Sequence, residues 1–177
     1  AIDDFVNNAG GPDAPLDGGI FVNSAGNSDA PASGFSPAEY GPVFTVSSTE
    51  DTDTKSSFSN FGDAVDVAAP GGEFGEDGVW SAVNGGFGSL SGTSMAAPHI
   101  AGAAALVASV DPNQTLDAST VEQVLINTGK DISNNQPERM GPRLDAAAAA
   151  ASVSGDDTPP APVEDLAAVK DSSDTPG

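Results

Sequence analysis

Ser91-Gly92-Thr93-Ser94-Met95-Ala96-Ala97-Pro98-His99 is the stretch on which the reading of this chain turns. A Gly-rich segment precedes it, and the apolar run Ile100-Ala101-Gly102-Ala103-Ala104-Ala105-Leu106-Val107 follows. The pattern predicts a helix from about Ser94 to Val110, apolar all round and therefore buried. Pro98 falls near its first turn, where a missing N–H costs least. Ser94 would then stand at a helix N-terminus, with free backbone N–H groups facing any negative charge that develops there. A serine hydroxyl is a weak nucleophile: it needs a base for its proton and donors for the oxyanion that forms. Gly92 lets the backbone approach a second molecule closely, and the small residues after Ser94 let the helix pack tightly. Taken alone, a Ser-x-x-x-Pro pattern is better explained as a helix cap supplied by Thr93 or Ser94.

Upstream, short β-type runs alternate with turn-rich segments. Ala1 to Asn8 reads as the tail of a helix, ended at Gly10-Gly11-Pro12. Strands are expected at Gly19 to Ser24, Val43 to Ser48, Ala64 to Ala69 and Val79 to Val83. The turn Ala25-Gly26-Asn27 follows the first of them, and residues 28–42 read as a loop. Downstream, Ser119-Thr120-Val121-Glu122 has the form of a capping box, and Gly129 is placed to end that helix. An Ala-rich helix is expected from Leu144 to Val153. Strands alternating with helices indicate an α/β fold with a mostly parallel sheet.

Composition narrows the partners. The 177 residues carry 26 acidic and five basic side chains, a net charge of −21. Such a field repels nucleic acid and anionic membranes. No run of 18 apolar residues occurs, so no membrane span is expected. The scattered acids fit a surface adapted to high salt, and they fit an ordinary acidic secreted enzyme equally well. With no cysteine, disulfides, a thiol nucleophile and Cys-ligated zinc are excluded.

The stretch Gly92-Thr93-Ser94-Met95-Ala96-Ala97-Pro98-His99-Ile100-Ala101-Gly102 closely resembles the serine motif of the subtilase family of serine proteases. Three further segments match in the family's order. Ala25-Gly26-Asn27 resembles the oxyanion segment. Phe58-Ser59-Asn60-Phe61-Gly62 and Val65-Asp66-Val67-Ala68-Ala69-Pro70-Gly71 resemble the core segments between it and the serine motif. Gly141-Pro142-Arg143-Leu144-Asp145-Ala146 looks like the entry to the last helix. The resemblance covers residues 1–153 and implies a subtilisin-like three-layer fold, here incomplete at its N-terminal side. It implies serine endopeptidase chemistry on polypeptide substrates, outside the cell. Ser94 would attack the peptide carbonyl, with Asn27 and the Ser94 N–H holding the oxyanion. Ser24, Ala25 and Gly26 would line the wall of the substrate pocket.

The resemblance also implies two partners that this sequence lacks. A subtilase needs an Asp and a His before its oxyanion Asn, yet only 26 residues precede Asn27 and none is His. His99 cannot serve, being five residues along the same helix. At about 100° per residue the two side chains point about 140° apart, with a rise of about 7.5 Å. The chain therefore reads as the C-terminal part of a catalytic domain, inactive alone, whose natural partner is the N-terminal part of that domain. A pseudoprotease or scaffold that kept the fold is the alternative. A sedolisin fits the serine motif less well, and an α/β-hydrolase would need Gly-x-Ser-x-Gly, whereas residue 96 is Ala.

The chemistry requires no cofactor. Calcium would be structural, at the acidic loops Glu50-Asp51-Thr52-Asp53 and Glu73 to Asp77, but a solvated acidic turn is the better explanation for each, and no metal ligand is assigned. Residues 154–162 read as a linker, and 163–177 as the start of a truncated β-domain.

Overall fold

A computed structural model describes residues 1–11, 14, 16–75 and 78–155. The linker and the β-domain expected at 154–177 lie almost wholly outside these residues. Three strands form a parallel sheet in the order β1 (Val22–Ser24), β2 (Phe44–Thr49), β3 (Val67–Pro70). Each is shorter than, or offset by a residue or more from, the run expected from sequence. Strand ends are set by pairing, not by composition.

The alternation of side chains assigns the two faces of the sheet. Phe44, Val46, Val67 and Ala69 point into the main core with Ile100, Val107, Val121 and Leu125. Ala68 points the other way, against Ile132 and Met140. Strand β2 is buried throughout despite its Thr and Ser side chains. Three of its hydroxyls are bonded internally: Thr45 Oγ1 donates to Ala38 O at 2.8 Å, Ser47 Oγ donates to Met140 O at 2.8 Å, and Ser48 Oγ lies 2.6 Å from Ser56 Oγ, while buried Thr49 Oγ1 has no partner among the described residues. Buried hydroxyls with partners are tolerable, because each has replaced its water.

Four helices complete the unit: α1 (Ile2–Asn8), α2 (Thr93–Val110), α3 (Ala118–Thr128) and α4 (Ala146–Ser154). Helix α2 lies across all three strands and also meets α3 and α4. The capping box expected at Ser119 is displaced. The cap is Asp117, whose carboxylate accepts from Thr120 N at 2.6 Å and from Ser119 Oγ at 2.9 Å. Asp117 lies two residues before Ser119, and its carboxylate is favoured at the positive end of the helix. Gly129 does end α3, in an extended conformation and not a left-handed one. Asp145 caps α4 by accepting from Ala148 N at 2.9 Å.

Two further expectations need correction. The Gly-rich segment before Ser91 is not a loop. It supplies β5 (Gly86–Leu90), paired antiparallel with β4 (Val79–Val83), as the partner Cα pairs Val79–Leu90 and Val83–Gly86 show. Glycine hid a strand whose order comes from its partner. Helix α2, expected to be buried all round, is buried on one face only, through Thr93, Ala96, Ile100, Ala103, Ala104, Val107 and Ala108. Pro98, His99, Ala101, Gly102, Ala105, Leu106 and Ser109 are exposed. Its apolar residues are therefore not all matched by neighbours among the described residues. By length and composition α2 is also long and apolar enough to cross a membrane. Polar and small residues interrupt its apolar ones, so it contains no unbroken apolar run of 18 residues.

Gly141 shows how tightly the segment leading to α4 is laid against β3. Its φ is +72°, and a Cβ there would sit 2.6 Å from Asp66 O and 2.8 Å from Val67 N. Both are backbone atoms that cannot rotate away. We expect Gly141→Ala to cost about 2–3 kcal/mol from strain and overpacking. Thermal melting of wild type and variant in the same buffer checks this; equal melting temperatures would remove Gly141 from the list of structural requirements.

Candidate active site

Strand β1 ends at Ser24 and β3 runs out into Gly71, so both C-terminal ends of the sheet feed one edge. Asn27 follows β1 at that edge. Gly92 is tied to it by donating to Gly71 O at 2.9 Å. The loop after β1 and the start of α2 are thereby brought together from 66 residues apart in sequence. The carboxyl end of a parallel sheet is the usual place for a binding site in such folds.

The contact between them is specific. Asn27 Oδ1 accepts from Thr93 N at 2.9 Å and from Thr93 Oγ1 at 2.8 Å. Thr93 Oγ1 in turn accepts from Gly26 N at 3.3 Å. A backbone N–H can only donate, so it fixes which end of the Asn27 amide is oxygen. The Nδ2 group is left facing outward, with two protons to give. Thr93 is fully buried, whereas Asn27 and Ser94 are exposed.

The backbone supplies a second donor. Within the first turn of α2, Thr93 N is taken by Asn27, and Met95 N and Ala96 N both donate to Gly92 O. Ser94 N has no partner among the described residues and stands at the positive end of the helix. A Cβ placed on Gly92 would lie 3.5 Å from Asn27 Nδ2 and 3.7 Å from Ser94 N. Two donors thus border the same small space, kept open because residue 92 has no side chain. Gly92 has φ 156° and ψ 159°, a region essentially restricted to glycine.

The other predicted site residues fall nearby without meeting in one cavity. Ala25 is fully buried with Ala32 and Val65, so only its backbone can face a ligand. Ser24 and Gly26 are partly exposed. A cavity of about 420 Å³ does adjoin Ser94, lined in part by Val79, Leu90, Met95, Pro98 and His99, but not by Ser24, Ala25 or Gly26. On its hairpin side, Trp80 and Phe87 are 70% and 80% exposed. His99 lies near this cavity with Nδ1 2.9 Å from Met95 O, one turn back in its own helix. It is exposed rather than tucked beneath the site. Pro98 lies beyond the first turn, so it leaves the Ser94 carbonyl without the N–H of an ordinary helix.

Two described carboxylates of the acidic loops, Asp53 and Glu73, are committed to protein partners. Asp53 pairs with Lys130 and Arg143, each at 2.5 Å. Glu73 accepts from Ser57 N, Ser57 Oγ and Phe74 N at 2.6–2.8 Å. Burial works against the charged form of Glu73, but these bonds outweigh it and hold its pKa below the ordinary value. Glu50 is pushed up, first by burial and then by the charge of Glu73. Among the described residues no group of three or more His, Asp or Glu is placed to hold a metal ion.

Sequence reading missed Thr93 as the anchor of Asn27. Its place directly before the serine was the available signal, but a hydroxyl beside a helix start is first explained as a cap.

The C-terminal edge of the parallel sheet thus carries a serine at a helix start, beside an amide and the Ser94 N–H. Residues 1–143 match the signature of the Subtilase family, and the chain belongs to that family. Its relatives include alkaline serine exoprotease A of Vibrio alginolyticus, 44% identical over 102 residues, which are 56% of this chain and 18% of the relative. Thermitase of Thermoactinomyces vulgaris is 45% identical over 98 residues, covering 55% of this chain and 32% of thermitase. Halolysin-like extracellular serine protease Nep of Natrialba magadii is 43% identical over 111 residues, covering 62% and 19%. Among solved structures, a protease of Pseudoalteromonas arctica matches with a TM-score of 0.67 and 34% identity, over 76% of this chain and 42% of its own. A cold-adapted subtilisin-like serine proteinase matches with a TM-score of 0.61 and 37% identity, over 70% and 43%. The fold is therefore subtilisin-like. The matched segments span a third or less of these curated relatives and under half of these solved chains.

Proposed function

We propose that this chain carries the nucleophile half of a secreted subtilisin-like serine endopeptidase. The observation that carries the reading is the geometry at Gly92: an exposed serine with Asn27 Nδ2 and Ser94 N bordering one space. Ser94 Oγ adds to the peptide carbonyl carbon as a base takes its proton. The carbonyl oxygen gains the charge and sits between the two donors. The tetrahedral intermediate then collapses with loss of the amine, which recovers the proton, and water releases the acyl group from Ser94. Substrates are polypeptides, and the backbone of Ser24 to Gly26 forms one wall of the pocket for the side chain before the cut.

The base and its orienting carboxylate come from sequence outside these 177 residues. The open face of α2, with Ala101, Ala105 and Leu106 exposed, supports the same reading. An apolar helix face of that kind is ordinarily covered. The extracellular names of relatives support secretion. Any calcium plays a structural part, with no step in the chemistry.

A serine-directed fluorophosphonate tests the reading. The intact protease is expected to label and Ser94→Ala to resist labelling, while the purified 177-residue chain hydrolyses no peptide. Labelling that survives Ser94→Ala would remove Ser94 as the nucleophile. Ser94-dependent hydrolysis by the short chain would remove the need for an outside base.

A further inference from the structure

We propose that Asn60 is a positioning residue for the oxyanion hole, acting through the loop that carries Asn27. It rests on the assignment of Asn27 and Ser94 above. Asn60 is fully buried, 33 residues from Asn27 in sequence, and does not touch Ser94. Among the described residues, the hydrogen bonds of its amide all go to one loop. Nδ2 donates to Ala25 O at 2.9 Å, and Oδ1 accepts from Ser28 N at 2.9 Å and from Ala30 N at 3.3 Å. Its own backbone N–H donates to Gly26 O at 2.9 Å. These four contacts bracket Asn27 on both sides without involving Asn27 itself.

The shape of the loop explains why an asparagine is needed. Asn27 must turn its Oδ1 to Thr93 and its Nδ2 outward, which requires the backbone on either side to bend away from the sheet. That bend leaves one carbonyl and two N–H groups pointing inward, where no strand can pair them. A single primary amide offers both donors and acceptors within one rigid plane, and so satisfies them from beneath. Gly26 is part of the same fit. Its φ is +108°, and a Cβ there would lie 2.4 Å from Asn60 Nδ2. Neighbouring bonds extend the seam: Asp29 N to Phe58 O at 2.9 Å and Ala32 N to Phe61 O at 2.7 Å.

Thr93 and Asn60 therefore divide the work. Thr93 fixes the rotation of the Asn27 amide, and Asn60 fixes where the backbone presents it. An oxyanion donor loses its value with small displacements, because its bond tightens only in the transition state.

The test is a double-mutant cycle in the intact protease, with kcat normalised to the fraction folded in a thermal melt. Asn60→Ala removes all three side-chain bonds, and we expect kcat to fall about 10–100-fold with KM little changed, as for a misplaced catalytic group. Asn60→Asp keeps the acceptor for Ser28 N and Ala30 N and serves if the alanine variant does not fold; about tenfold is expected. In an Asn27→Ala background either change should cost less than threefold, because the donor it positions is gone. Full, additive losses in that background would overturn the proposal, and so would unchanged kcat in the single variants. Turnover that survives Ser94→Ala would instead overturn the active-site assignment, so the two failures are told apart.

Discussion

Asn27→Ala in the intact protease is expected to lower kcat by about 10²–10³-fold and to leave KM nearly unchanged, equivalent to about 2.7–4 kcal/mol of transition-state stabilisation. That range is the one known for the oxyanion Asn of subtilisin itself; it follows from family membership and not from these distances. What the geometry adds is the reason for the split between kcat and KM. Asn27 Nδ2 borders the space beside Gly92 together with Ser94 N. A planar ground-state carbonyl binds weakly to such donors, whereas the charged oxygen of the tetrahedral intermediate moves toward them. The Oδ1 end is already held by Thr93, so the amide spends nothing on reorientation during the reaction. Steady-state kinetics on a peptide substrate decides it. A loss confined to KM would mean that Asn27 binds substrate and transition state alike.

Glu122→Gln is expected to stabilise the protein above neutral pH and to leave it unchanged near pH 4.5. Burial, and then the charge of Asp66, push the pKa of Glu122 up to about 7 from an ordinary 4.5. Asp66 is itself raised by burial, although Thr45 N donates to its Oδ2 at 2.7 Å. Between those two pH values the folded state holds a proton that the unfolded state has lost. Stability therefore falls as pH rises through that window and is flat above it. The full shift would correspond to about 3 kcal/mol. Glu122 is only half-buried, so solvent screening brings the expected gain at pH 8 to about 1–2 kcal/mol. Melting curves at pH 5 and pH 8, run on a Ser94→Ala background to prevent self-digestion, give the answer. A gain of equal size at both pH values would mean that the glutamate is unfavourable for a reason other than its charge.

Much of this was legible in the linear sequence because it depends on local pattern. The apolar run after Ser94 fixed the existence and length of α2 to within a residue of Thr93–Val110. The turn at Ala25-Gly26-Asn27 and the start of α2 were recognised as a pair through the order of motifs. The cap of α3 is not where the Ser119 capping-box pattern puts the helix start: the folded chain places the Asp117 carboxylate to accept from Thr120 N. Strand β5 is Gly-rich and carries no β-signal of its own; pairing with β4 creates it.

Sequence by itself determined the family, and its contiguous motifs are what single out Ser94 as the proposed nucleophile and Asn27 as the proposed oxyanion donor. Only tertiary structure decided how Asn27 is aimed, because Thr93 bonds its amide from 66 residues away and Asn60 holds the loop on either side of it from 33 residues away. It also decided that the pKa of Glu122 is pushed up to about 7, since burial and the approach of Asp66 exist only in the folded chain. And it showed α2 with one face open: whether an apolar helix is covered depends on what packs against it, and no periodicity within the helix contains that information.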